Sequence, residues 1–83
     1  MPISGAQVRM ARAALRWEVR DLAEKALVSP ATVVAAEAEQ DVGAAALMVL
    51  RRAFESAGIE FIGDNGGGPG VRLKLRHPAV GRG

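Results

Sequence analysis

Apolar positions in the first two thirds of the chain recur three and four residues apart, the period of helices that bury one face. Ser4 followed by Gln7 has the form of a capping box. Val8, Ala11, Ala14 and Leu15 then repeat at helical spacing, which predicts a first helix over roughly residues 5 to 15. Trp17 falls in a short connection. Leu22, Ala23 and Ala26 give a short second helix its apolar face until "LVSP" interrupts the pattern. Ser29 can cap the free amides of a third helix, and Pro30 suits its first turn, where a missing amide hydrogen does no harm. That helix turns Val33 and Ala36 inward. After an acidic connection (Glu37, Glu39, Asp41), "GAAALMVLRRAFESAG" predicts the longest helix. Leu47, Leu50, Phe54 and Ala57 form its stripe, and Gly58 with Ile59 forms a left-handed cap and its apolar contact.

The period then changes to two. "IEFIG" and "VRLKLR" flank "DNGGGP", a loop dense in residues that tolerate positive φ, and the three segments predict a β-hairpin. Alternation points Val71, Leu73 and Leu75 at the core and leaves Arg72, Lys74 and Arg76 outside. The organisation expected is one small domain: residues 1–58 helical, 59–76 a hairpin packed on them, and 77–83 a flexible tail. A core built from 83 residues is marginal unless a partner extends it.

Candidate chemistry is sparse. The chain has no cysteine, and its one histidine, His77, lies beside Pro78 without partners for catalysis or zinc. These features argue against an enzyme, a metal or a cofactor. No apolar run reaches the roughly 18 residues of a membrane span, and the first residues lack the pattern of a signal peptide, so a cytoplasmic protein is expected. Charge is uneven: residues 1–70 hold seven Lys or Arg against nine Asp or Glu, and residues 71–83 add four basic residues and no acid. Affinity for nucleic acid comes mostly from neutralised phosphates, so such a body must rely on local arrangement or on its tail.

The order of parts resembles the XRE (lambda-repressor-like) helix-turn-helix family, in particular small bacterial regulators that begin "ISGAQVR", carry "SPAT" in the third helix and end "AGIEFIGDNGGGPGVRL". The resemblance covers roughly residues 3 to 76, and "EFI…NGGGPGVRL" is its most distinctive piece. It implies a mainly α fold, a lambda-repressor-like bundle of four to five helices with a C-terminal β-hairpin. It also implies transcription regulation by binding double-stranded operator DNA as a homodimer. Arg12 and Glu37 fall where family members often pair an arginine of the first helix with a glutamate ending the third, which implies a structural ion pair.

The chain departs from that pattern at the DNA side. Where such modules usually have Ser and Gln at the start of the second helix, this chain has Glu18 and Val19. Leu27 replaces the usual glycine of the turn, which predicts a distorted turn or a strain of roughly 1 kcal/mol. Pro30, Ala31, Val34 and Ala35 occupy the groove-facing positions, although direct readout normally uses bidentate Arg, Asn or Gln. Three readings stay open. In the first, Ser29 and Thr32 donate to a phosphate or a base, Ala31 and Val34 touch thymine methyl groups, and Ala35 shares their groove-facing surface. A rim of Arg9, Arg16 and Arg20, joined by Arg72, Lys74 and Arg76, then holds phosphates; Arg9 and Arg16 lie within about 20° on a helical wheel. In the second, the apolar third helix binds a protein partner, as an antiactivator or a dimerisation module. In the third, these small residues only pack against the chain.

Overall fold

A computed structural model describes residues 2–64 and 66–74. The order is α1 (Gly5–Leu15), α2 (Val19–Ala26), α3 (Pro30–Glu37), α4 (Ala44–Ser56), β1 (Ile59–Ile62) and β2 (Gly70–Leu73). The described chain is therefore mainly helical, with four helices and a two-stranded antiparallel hairpin. The residues expected to form a tail, with Leu75, Arg76 and His77, lie outside the described residues.

The starts of α1 and α3 follow from their capping serines. Ser4 accepts the Gln7 amide while the Gln7 side chain accepts the Ser4 amide, completing the capping box. Ser29 accepts the Thr32 amide, with Pro30 in the first turn of α3. The C-termini of α1, α2 and α3 share a different device. Arg16, Leu27 and Glu39 each take a left-handed conformation, at φ 57°, 60° and 61°. The amide directly after the left-handed residue reaches back in each case: Trp17 to Arg12, Val28 to Ala23 and Gln40 to Ala35. These are Schellman ends built without glycine. Only α4 ends on the expected residue, Gly58, at φ 104°.

The core gathers one face from every helix: Val8 and Ala11, Leu22, Ala23 and Ala26, Val33 and Ala36, Leu50 and Phe54, closed by Ile3 and Ile59. Ala14, expected in the apolar stripe of α1, is exposed, because it lies about 100° round the helix from Leu15, off the face that Val8, Ala11 and Leu15 turn to the core. Many core positions are alanines, so the helices approach closely. The tightest approach is at Gly5, where a Cβ would meet the Ala36 and Glu37 carbonyl oxygens at 2.6 and 2.7 Å. All three aromatic residues of the chain join in one row. Trp17 stacks on Phe54 with ring centres 5.7 Å apart, and Phe61 meets Phe54 edge-on at 6.0 Å.

The hairpin pairs Ile59 with Leu73, Glu60 with Arg72, Phe61 with Val71 and Ile62 with Gly70. Ile59, Phe61 and Val71 face the core, and Arg72 bonds Glu60 on the opposite face at 3.1 Å. Leu73 departs from expectation: it shares the core side of β2 but is exposed, because it stands opposite Ile59 at the end of the ladder, where the core has run out. The hairpin is bolted to α1 by buried Gln7, whose side-chain amide donates to the Ile62 and Gly70 carbonyls at 3.1 and 2.9 Å. Asp64 closes the loop by accepting the Gly66 and Gly68 amides.

Candidate nucleic-acid interface

Helices α2 and α3, eight residues each, are joined by the three residues Leu27, Val28 and Ser29. The apolar face of α2 (Leu22, Ala23, Ala26) packs with Val33 and Ala36 of α3, which fixes the rotation of α3 about its axis. Its remaining face is presented outward: Pro30 and Ala31 are exposed, Val34 is 56% exposed, and Thr32 and Ala35 are half-buried.

The turn is regular rather than distorted. Leu27 accepts the left-handed conformation (φ 60°, ψ 42°) that glycine would adopt freely, and its side chain is 90% exposed. The strain therefore stays local to one residue, on the order of 1–2 kcal/mol, instead of spreading into the turn.

The C-terminal end of α3 is clamped to α1. Arg12 Nε and Nη2 donate to the two Glu37 carboxylate oxygens at 2.7 and 3.1 Å, and Nη1 donates to the Trp17 carbonyl. Both side chains are largely buried, and the hydrogen bonds that Arg12 donates to Glu37 raise its pKa above its already high ordinary value. Arg9 donates to the Glu37 carbonyl, a cation at a helix C-terminus. Glu39 reaches the other way, accepting the Ala6 amide at 3.2 Å near the start of α1. Gly5 permits this junction because it has no Cβ.

These contacts sort the predicted site residues. Ser29, Ala31, Thr32, Val34 and Ala35 share one short helix start, with the Ser29 and Thr32 hydroxyls 3.0 Å apart. Arg9 belongs to the α1–α3 clamp. The helical wheel that set Arg16 beside Arg9 does not extend that far, since α1 ends at Leu15 and Arg16 is its left-handed cap. Arg16 is exposed and makes no ion pair among the described residues, while Arg20 stands 3.6 Å from Glu18 with both side chains in solvent. Arg72 pairs with Glu60, and the hairpin carrying it and Lys74 packs on α1 and α4, so these two form a separate surface from α3. Arg76 lies outside the described residues.

Over residues 18–41 two basic side chains face six acidic ones. Most of these acids are engaged locally: Glu37 with Arg12, Glu39 with the Ala6 amide, Asp21 with the Glu18 amide and Asp41 with the Gly43 amide. Sequence reasoning missed three of the residues that hold this interface. Gln7 shows only its local capping-box spacing, Arg9 is expected on a phosphate-holding rim rather than against the end of α3, and Glu39 is expected only as part of an acidic connection. No helix among the described residues is long and apolar enough to cross a membrane. Scans against family models, curated proteins and solved structures return no match to this chain.

Proposed function

We propose that the chain is a small DNA-binding transcriptional regulator that reads double-stranded DNA with α3 and acts as a homodimer. One observation supports this above others. The α2–α3 pair keeps a regular helix-turn-helix turn, and the clamp on the far end of α3 leaves its first turns outward, where a recognition helix meets the major groove. Arg16 and Arg20, flanking the start of α2, are the cations available for phosphate. With so few, binding is weak and salt-dependent. A protein neutralising two phosphates loses affinity with a slope of about −2 in log K against log salt. Titration of random duplex DNA at several salt concentrations tests the proposal. Binding at low salt, weakened when Arg16 and Arg20 are both replaced by Ala, supports it; no binding at low salt overturns it.

Exposed Leu27 and Val34, with the acidic excess of residues 18–41, favour a second reading as a protein-interaction module, an antiactivator or dimerisation module. In that case duplex DNA is not bound, and Val34→Glu removes an association that the parent chain shows.

A further inference from the structure

We propose that a shallow groove between α2 and α4 docks an acidic peptide segment of a partner protein. Lys25 and Arg52 hold its carboxylates, and an aliphatic side chain of the peptide lies beside Trp17. The groove has a volume of about 460 Å³ and includes no residue of α3, so the inference stands apart from the DNA-binding reading. Half-buried Trp17, Val49 and Ala53 give it an apolar floor. Exposed Lys25, Arg52 and Ser56 set two cations and a hydroxyl around that floor, and the lining contains no carboxylate.

Charge singles out this groove. Residues 1–70 hold more acids than bases, and Arg12, Arg20, Arg51 and Arg72 each have a carboxylate partner. Lys25 and Arg52 have none among the described residues, although they line one groove. The Lys25 ammonium lies 5.2 Å from the centre of the Trp17 ring, a contact that orders the lysine without neutralising it. Trp17 is fixed in turn by stacking on Phe54. Charge complementarity therefore selects an anionic occupant, and shape selects a peptide. A groove this shallow covers one side of what it binds, whereas small-molecule sites bury most of their ligand. The Trp17 ring, stacked on Phe54 and carrying Lys25 over it, is not free to stack a base, which disfavours single-stranded nucleic acid.

The test is selection from a random dodecapeptide library by the full chain at low salt. Enriched peptides should carry several Asp or Glu with an aliphatic residue among them. A synthetic copy should perturb the fluorescence of Trp17, the single tryptophan of the chain, and should bind more weakly as salt is raised. The same copy with Asn and Gln in place of its acids should not bind. Arg52→Ser, at an exposed position without an ion pair, should keep the melting temperature and weaken binding about two- to fivefold, the yield of one solvent-exposed pair. Lys25→Glu combined with Arg52→Glu should abolish it. A library that enriches nothing, or only neutral or basic peptides, overturns the proposal. Acidic peptides that leave Trp17 unperturbed, or that bind the doubly reversed chain as tightly, place the site elsewhere and overturn it too. Self-association of the parent chain that the double variant loses would make the occupant a second copy. Loss of duplex binding in that variant would make the groove a phosphate contact. Either result overturns the peptide assignment, and neither it nor the others decides whether α3 reads DNA.

Discussion

Arg12 is gripped by both oxygens of Glu37 and tied to the Trp17 carbonyl, so its removal strands a largely buried carboxylate. Arg12→Ala should lower stability by about 2–3 kcal/mol, the range for breaking a mostly buried pair from one side. Arg9→Ala removes only a contact to an exposed helix end and should lower it by less than about 1 kcal/mol. Denaturant unfolding of the two variants checks this, and equal midpoints would contradict it. Leu27 gives the opposite sign. It holds a left-handed backbone with its side chain in solvent, so it contributes strain and almost no burial. Leu27→Gly should raise stability, by up to about 1 kcal/mol after the greater flexibility of glycine in the unfolded chain is deducted. A lower melting temperature for that variant would show that Leu27 packs in a way its exposure does not suggest. If Leu27 also contributes to binding, the same variant will be more stable and less active, the pattern of strain kept at a functional position.

At the scale of elements, the legible signals were those with local causes. Ser4 and Ser29 announce helix starts because a hydroxyl at that position satisfies a free amide, and the two-residue alternation of "VRLKLR" announces a strand. The ends of α1, α2 and α3 carry no glycine: the left-handed Leu27 was marked only by the glycine that the resemblance places there, and Arg16 and Glu39 were not marked in advance. The exposure of Leu73 was illegible for another reason: alternation gives the side of a strand a residue is on, not how far along the strand the core extends. Gln7 was read for its neighbour three residues away, yet its amide also closes the hairpin from the far end of the sequence. Gln7→Ala therefore removes half of the capping box and two donors to partly buried carbonyls. It should destabilise by about 2 kcal/mol, and hydrogen exchange should quicken at Ile59–Ile62 and Gly70–Leu73 before it quickens in α2. Uniform quickening across the chain would mean that the hairpin does not open separately.

For the whole molecule, the proposed homodimer is constrained by charge. Pairing β2 with its own copy about a two-fold axis centred on Arg72 or Leu73 sets Arg72 opposite Arg72 or Lys74 of the second chain, and like charges facing each other across strands are destabilising. A strand-paired dimer centred there is thus disfavoured by the side chains of β2. An apolar groove of about 370 Å³ lined by Pro2, Ile3, Ala44, Leu47, Met48 and Arg51, with Met48 exposed beside it, offers a neutral alternative. Sedimentation of the full chain should show a dimer that Met48→Glu separates without lowering the melting temperature. A dimer strengthened by Arg72→Ser would instead place the strands in the interface. Recognition of duplex DNA by α3 is tested most directly by amide chemical-shift mapping of the full chain against random duplex at low salt. Perturbations centred on Ser29–Ala35, spreading to Arg16 and Arg20 and fading as salt is raised, are the result expected; an unperturbed spectrum, or shifts confined to the hairpin, would contradict it.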